Sequence, residues 1–222
     1  MTATPSPSTP LSVPANVEAY ADGRLSAAAA RRNTAPLTEA LRPHLPPGAH
    51  VLELASGTGE HAVALCRACP GLHWQPTEIA PERQASIAAW TQAEQLQAAI
   101  QPPLTLDVAQ PWPVAAGQWD GVLAVNLLHI MSGQHLPALF AHARSALAPG
   151  GWLMVYGPFR RGDEWYSDGN QSFHAQLQAL DPNMGLRDMD VLDALAQAAG
   201  LSGAEMAVER LPANNHLLRW RC

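Results

Sequence analysis

Short apolar runs alternate along the chain with longer stretches in which apolar residues return at helical spacing. Five runs read as strands: His50–Leu54, Leu72–Thr77, Leu104–Val108, Gly121–Asn126 and Trp152–Tyr156. The fourth is apolar almost without interruption, as in a parallel strand covered on both faces. Helices are predicted from Glu60 to about Cys69, Pro81 to about Leu96, Gly133 to about Leu147, and Met189 to about Ala199. Ahead of the first strand, Asn16–Leu45 is expected to be helical, with Ala27–Asn33 and Thr34–Leu45 forming one broken helix or two. Pro46-Pro47-Gly48 ends that region, and Pro149-Gly150-Gly151 turns the chain into the fifth strand. A long excursion, Gly157–Arg187, follows. Two last strands, about Ala204–Leu211 and His216–Arg221, flank Pro212-Ala213-Asn214-Asn215. Alternating strands and helices imply an α/β fold with a doubly wound, mostly parallel sheet. The short final turn forces the last pair to be antiparallel.

Composition narrows the chemistry. The 222 residues, 47% of them hydrophobic, suffice for one α/β core. A single domain over residues 16–222 is expected, after a disordered tail of residues 1–15 rich in Pro, Ser and Thr. The net charge is −6, and no basic run exceeds Arg31-Arg32 and Arg160-Arg161, so extended nucleic-acid binding is not expected. All thirteen basic residues are arginine. Without lysine, neither a pyridoxal Schiff base nor a standard P-loop can form. Cys66, Cys69 and Cys222 are too few for a disulfide framework and fit a reducing, cytoplasmic setting. Cys66-x-x-Cys69 falls at a helix end rather than at a helix N-terminus, and no second pair completes a zinc site, so no metal is expected. No apolar run approaches the ~18 residues of a membrane span, so no membrane partner is expected.

The segment Val51-Leu52-Glu53-Leu54-Ala55-Ser56-Gly57-Thr58-Gly59-Glu60-His61 carries the strongest chemical signal. It reads as a buried strand, a glycine turn and a helix start. Glycines let a backbone come close to a ligand where a Cβ would block it. Free N–H groups at a helix start favour polar or anionic ligand atoms. Glu53 at the strand end suits a ligand with positive charge and would repel a pyrophosphate. The pattern resembles motif I of class I S-adenosylmethionine (SAM)-dependent methyltransferases, with Ala55 where glycine is usual. The rival is the dinucleotide fingerprint, which Gly57, Gly59 and Ala62 also satisfy, and the third reading is a turn with no ligand. The antiparallel terminal hairpin favours SAM, because a dinucleotide fold typically ends in a parallel strand. The resemblance implies a Rossmann-like three-layer sandwich with a mostly parallel seven-stranded sheet and a C-terminal antiparallel hairpin.

Ligands in open α/β sheets sit beyond the carboxyl ends of the strands. Besides Glu53, Ala55, Ser56, Gly57, Thr58 and Gly59, the candidate cofactor residues there are Glu78, Ile79, Asp107, Val108 and Asn126. Glu78 can accept from both ribose hydroxyls. Asp107 can accept from an adenine amino group, or be a turn residue. Asn126 and His129 could meet the methyl acceptor, and His129 could equally be a structural histidine. Should the acceptor have to lose a proton, His129 is the first candidate base, Tyr156 a weaker one and His174 a third.

Further segments make the likeness closer. Arg32-Asn33 with Pro36-Leu37, Trp74-Gln75-Pro76-Thr77-Glu78, Leu106-Asp107-Val108, Asn126 with His129, Tyr156-Gly157-Pro158-Phe159, Gly185-Leu186-Arg187-Asp188 and Pro212-Ala213-Asn214-Asn215 together resemble the DUF938 family, a methyltransferase-like group. The resemblance runs from about Ala28 to the C-terminus. It implies SAM as cofactor and, as acceptor-side residues, Asn33, Phe159, Asn170, Phe173, Arg187, Asn214 and Asn215. Three positions depart from the family pattern: Thr34-Ala35 replace a charge pair, Gly169 replaces serine, and His174 replaces an acid. The expected function is methyl transfer to a small molecule. A protein or RNA methyltransferase, or a SAM-binding scaffold without catalysis, are the alternatives. The excursion is expected to act as a lid or as a fixed arm, and Arg187-Asp188 as a closing segment or as an anchoring ion pair.

Overall fold

A computed structural model describes residues 17–201 and 206–222, so the expected tail, Asn16 and the start of the expected strand at Ala204 lie outside the described residues. Strands β3 (His50–Leu54), β4 (His73–Pro76), β5 (Trp119–Val125) and β6 (Leu147–Arg160) are parallel neighbours in the order β4-β3-β5-β6. Strand β9 (Asn215–Arg221) runs antiparallel between β6 and the edge strand β8 (Ala207–Leu211). The two-residue β7 (Arg187–Asp188) pairs with the far end of β6 and completes seven strands. The chain begins this sheet at β3, steps to β4, then returns past β3 to β5. A crevice therefore opens beyond the ends of β3 and β5, where the winding reverses.

Alternation along the strands sorts the core into two layers. Val51, Leu123, Trp152, Met154 and Leu217 face α1 (Ala28–Leu41) and α2 (Glu60–Ala68). Leu52, Leu54, Val122, Ala124, Leu153, Val155 and Leu218 face α4 (Leu136–Ala146) and α6 (Met189–Ala198). Helix α3 (Pro81–Ala93) packs Ile87 beneath Gly59, where an added Cβ would lie 3.0 Å from the Ile87 Cα.

Four local expectations are corrected. The N-terminal region is not helical throughout: β1 (Val17–Ala19) and β2 (Leu25–Ala27) form a hairpin before α1. Gly23 takes the left-handed turn position at φ 87°. The Asp22 carboxylate accepts from the Arg24 N–H and its Nε, and the Arg24 guanidinium stacks on Tyr20 and Trp90. Helix α1 is one unbroken piece with Pro36 inside it.

The third expected strand, Leu104–Val108, does not form. Instead the preceding residues run beside β4: Trp74 N–H donates to Ala99 O, Gln101 N–H to Trp74 O, and Leu104 N–H to Pro76 O. Pro102 and Pro103 interrupt this edge because they have no N–H to give. The chain leaves the sheet where the strand was expected to start. Strand β6 begins earlier than expected, and Pro149-Gly150-Gly151 forms a bulge within it rather than a turn before it. The excursion is partly regular. It holds the end of β6 and α5 (Asp168–Leu180), whose N-cap Ser167 accepts from Asn170 N–H at 3.1 Å.

Gly121 of β5 lies directly under the Trp152 indole, and a Cβ there would sit 2.1 Å from the ring. Gly121→Ala is expected to lower unfolding stability by ~1–3 kcal/mol through overpacking. Urea denaturation with tryptophan fluorescence reads this directly, and an unchanged midpoint would contradict it.

Candidate functional site

The turn after β3 is held by its neighbour strand. Thr77 exchanges backbone bonds with it: Ser56 N–H donates to Thr77 O at 2.7 Å, and Thr77 N–H to Glu53 O at 3.0 Å. The Thr77 hydroxyl donates to Glu53 O and accepts from Ala55 N–H. Ala55, Gly57 and Gly59 all adopt positive φ, at 49°, 59° and 93°. For Ala55 this left-handed backbone costs about 1–2 kcal/mol, which the bonds to Thr77 offset. Gly57 differs from Gly59 in its surroundings. Nothing lies within 4 Å of the position its Cβ would take, so that space is open to a ligand.

Two carboxylates bracket this turn. Glu53 is 1% exposed and accepts from Trp74 Nε1 at 3.0 Å. No basic residue pairs with it among the described residues. Burial pushes its carboxyl up to about 7, against the Trp74 and Ser56 hydrogen bonds. Glu78 is also buried, and its Oε2 accepts from Gly57 N–H at 3.0 Å. Its Oε1 accepts from Ile79 and Ala80 N–H, and Arg83 stands 3.8 Å away. Ile79 is 37% exposed, an apolar surface left bare beside Glu78. Asp107 lies in a turn beyond the edge next to β4, where its Oδ1 accepts from Ala109 N–H, and Leu106 and Val108 flank it.

A second cluster forms beyond β5 and β6. Asn126 adopts φ 54°, and its N–H donates to Tyr156 O at 2.8 Å. Its Oδ1 and His129 Nδ1 lie 3.5 and 3.6 Å from where a Cβ on Gly157 would be. His129 is buried, edge-on to Phe173 at 5.4 Å. Burial, aided by the Arg187 charge, depresses its imidazole to about 4. Phe159 is buried in the α4 and α6 layer, and Asn170 is buried on α5. The structure therefore brings Asn126, His129, Phe173 and Gly157 together.

Other expected residues sit elsewhere. Tyr156 faces the opposite layer, under α1 and α2, with its hydroxyl buried beside Asn215 and pushed up to about 12 by burial. Arg187 and Asp188 do not pair with each other. Arg187 donates to the carbonyls of Leu128, Met131 and Asn183, and so ties the excursion to the loop after β5. Asp188 caps α6 through Asp190 N–H, accepts from Gly162 N–H and pairs with Arg160 at 3.0 Å. The expected Arg187–Asp188 ion pair is thus replaced by separate bonds from each residue. His174 accepts from Leu186 N–H at 3.1 Å, which commits one ring nitrogen to the arm. Asn33 lies on α1, and Asn214 occupies a left-handed turn at φ 56°. Asn215 donates from Nδ2 to Pro212 O.

Two features escaped the sequence reading. Glu60 gathers the Ser26 and Thr58 hydroxyls and Ala27 N–H, so the N-terminal hairpin is tied to the glycine turn. His216 is a buried histidine on β9, opposite Gly157, beside Tyr166 at 4.6 Å. Only its place in a strand next to Asn214-Asn215 hinted at it. A groove of about 580 Å³ between α1, α2 and α3, lined by Arg31, Glu60, Arg67, Trp90 and Glu94, opens beside the helix that follows the glycine turn. Cys66 is buried, and burial lifts its thiol to about 12, which makes it unreactive. No metal-holding group of side chains and no helix long and apolar enough to cross a membrane occur among the described residues.

Strand order, the reversal between β3 and β5, and an antiparallel β9 inside the sheet define the class I methyltransferase fold. Solved structures share it. An O-methyltransferase family protein from Burkholderia thailandensis is 17% identical with a TM-score of 0.73, over 87% of this chain and 57% of its own. The SAM-dependent methyltransferase SibL, in its apo form, is 19% identical with a TM-score of 0.69, over 86% and 55%. Human N-acetylserotonin methyltransferase in complex with SAM is 18% identical with a TM-score of 0.68, over 87% and 52%. The chain thus spans little more than half the length of each, and at such identities the likeness is one of fold. The DUF938 family model, described as a protein of unknown function, matches residues 24–222, and the chain belongs to that family.

The buried titratable groups set opposing pH slopes. His61, His129 and His216 are each depressed to about 4, mainly by burial. Between pH 6.5 and 4 the unfolded chain takes up protons that these folded imidazoles refuse, so stability falls on acidification. Glu53, raised to about 7, works the other way: its contribution is present in acid and lost as pH rises through about 7. Three groups outweigh one, so the urea midpoint should be lower at pH 5 than at pH 7. Glu53→Gln should steepen that dependence and His61→Gln should flatten it.

Proposed function

We propose that this chain is a SAM-dependent methyltransferase acting on a small-molecule acceptor in the cytoplasm. One observation carries the cofactor reading: two buried carboxylates, Glu53 and Glu78, bracket a glycine turn that leaves open space at Gly57. A dinucleotide pyrophosphate at the turn would face Glu53, whereas a ribose role for Glu78 suits SAM and NAD alike. A ligand with a cationic amino acid end and a neutral nucleoside end meets complementary groups. Glu53 and the turn would hold the methionine part, Glu78 the ribose hydroxyls, and Asp107 with Ile79 and Val108 the adenine. When bound, SAM supplies a methyl group on a positively charged sulfur. The protein's share is to place an acceptor against that methyl and keep water out, and proximity of this kind can supply ~7–11 kcal/mol. Asn126 and His129 are the groups that would orient the acceptor. Burial keeps the His129 imidazole neutral at pH 7, so it can accept a hydrogen bond from an acceptor hydroxyl. The same burial resists full proton transfer to it, which makes orientation its main task.

Calorimetry should show binding of SAM and of its demethylated product, and none of NAD. Binding of NAD alone would reverse the reading. Gly57→Val puts a branched side chain into the open space at φ 59° and should abolish binding with the fold intact. Glu53→Ala should cost about 1.5–3 kcal/mol of binding. Because Glu53 stands near 7, a cationic ligand beside it should expel its proton. At pH 7 the binding enthalpy of SAM should therefore vary with the ionisation heat of the buffer, and Glu53→Gln should remove that variation.

A further inference from the structure

The two acids that the cofactor reading assigns to the nucleoside stand on different elements. Glu78 follows β4 closely, whereas Asp107 lies in a turn past Pro102 and Pro103, where the expected strand does not form. Among the described residues, the last ladder bonds beside β4 are Leu104 N–H to Pro76 O and Glu78 N–H to Leu104 O, both 3.0 Å. One residue further on, a side chain bridges the two segments. Gln84, in the first turn of α3, donates from Nε2 to Glu78 O at 2.6 Å and to the Thr105 hydroxyl at 2.9 Å. A carbonyl can only accept, so the amide nitrogen must face Glu78 O, and the orientation of the amide follows. Both of its hydrogens are thereby used. Gln84 is itself held in place: its N–H donates to Ala80 O at 3.0 Å, and Ala80 N–H donates to Glu78 Oε1. The bridge joins the residue bearing one acid to a residue two positions before the other.

Resting on the cofactor reading above, we infer that Gln84 is a positioning residue that sets the separation of Glu78 and Asp107, and with it the preference for adenine over other bases. A nucleoside is short and stiff. Two carboxylates hold its ribose and its base together only if their separation is right beforehand. Moving the Thr105 end of the bridge displaces Asp107 from the adenine amino group and leaves Glu78 on the ribose. The role is therefore selective: base discrimination falls while the Glu53 end of the site is unchanged.

The test uses the full chain, titrated calorimetrically with S-adenosylhomocysteine and with S-inosylhomocysteine, in which a carbonyl replaces the adenine amino group. The wild type should prefer the adenine compound by about tenfold or more, as a hydrogen bond to a carboxylate predicts. Gln84→Met removes both donors, and Thr105→Val removes the acceptor from an exposed position. Each should reduce the preference to within about threefold, and the double variant should lose no more than either single one, because both break one bridge. Thr105→Ser keeps the hydroxyl and should keep the preference. Should Gln84→Met fail to fold, Thr105→Val and Thr105→Ser decide the matter. A preference that survives in the Met and Val variants, or losses that add in the double variant, would overturn the inference alone. A wild type that binds both compounds equally would overturn it together with the adenine role of Asp107. Binding of neither compound would overturn the cofactor reading and the inference with it.

Discussion

The site depends on a backbone that must be left-handed three times within five residues, at Ala55, Gly57 and Gly59. Such a turn does not hold itself, because each positive φ forfeits regular pairing. It is held from β4. Thr77 ties Glu53, Ala55 and Ser56 through main chain and hydroxyl, and Glu78 reaches over to Gly57 N–H. The same Glu78 fixes Ile79 and Ala80 at the entry to α3, whose Ile87 supports Gly59 from below. Strand, turn and helix entry thus share one set of bonds. A change at Thr77 or Glu78 therefore reaches Glu53, the glycine turn and Ile79 together.

The N-terminal hairpin belongs to this arrangement. Glu60, at the first position of α2, accepts from Ser26, Ala27 and Thr58 at once. Ser86 continues the chain of bonds, accepting from Leu25 N–H and donating to Thr58 O. An acid at a helix start is favoured by the free N–H groups there, and here it also recruits a distant segment. The hairpin is in this way tied to the rear of the glycine turn rather than packed as an independent helix.

Most of the sheet was legible because parallel strands announce themselves as unbroken apolar runs, as Val122–Val125 does. The edge beside β4 was not. Its pairing residues include Pro102 and Pro103, which blur the run, while the apolar Leu104–Val108 that looked like a strand turns away. The hairpin at Val17–Ala27 was hidden by the alanines that follow it. Asp22-Gly23 was the overlooked turn signal. At the site, the glycine turn and the acids at strand ends were visible in one dimension, since each follows its strand directly. Arg187 and Tyr156 were not, because their roles depend on which way a side chain points. Arg187 turns back to carbonyls, and Tyr156 faces the layer opposite His129. His216 could be placed only once β9 was seen to lie between β6 and β8.

The two ends of the site differ in electrical character. At the ends of β3 and β4, buried acids stand without excess cations, and Glu53 is held partly protonated by its burial. Beyond β5 and β6, neutral imidazoles stand in front of arginines: Arg187 lowers His129 further, and Arg210 with Arg161 lowers His216. On the proposed reading this gradient matches the chemistry. A positively charged methyl donor is favoured at the acidic end. An electron-rich acceptor atom is favoured at the other, where the arginine charges stabilise any negative charge it gathers. That field sorts the two reactants by charge before transfer, so it serves binding and orientation; the rate of transfer itself rests on proximity. A histidine charged at neutral pH at position 129 would weaken this match. Its burial among Phe173 and the arm, rather than any partner, prevents that.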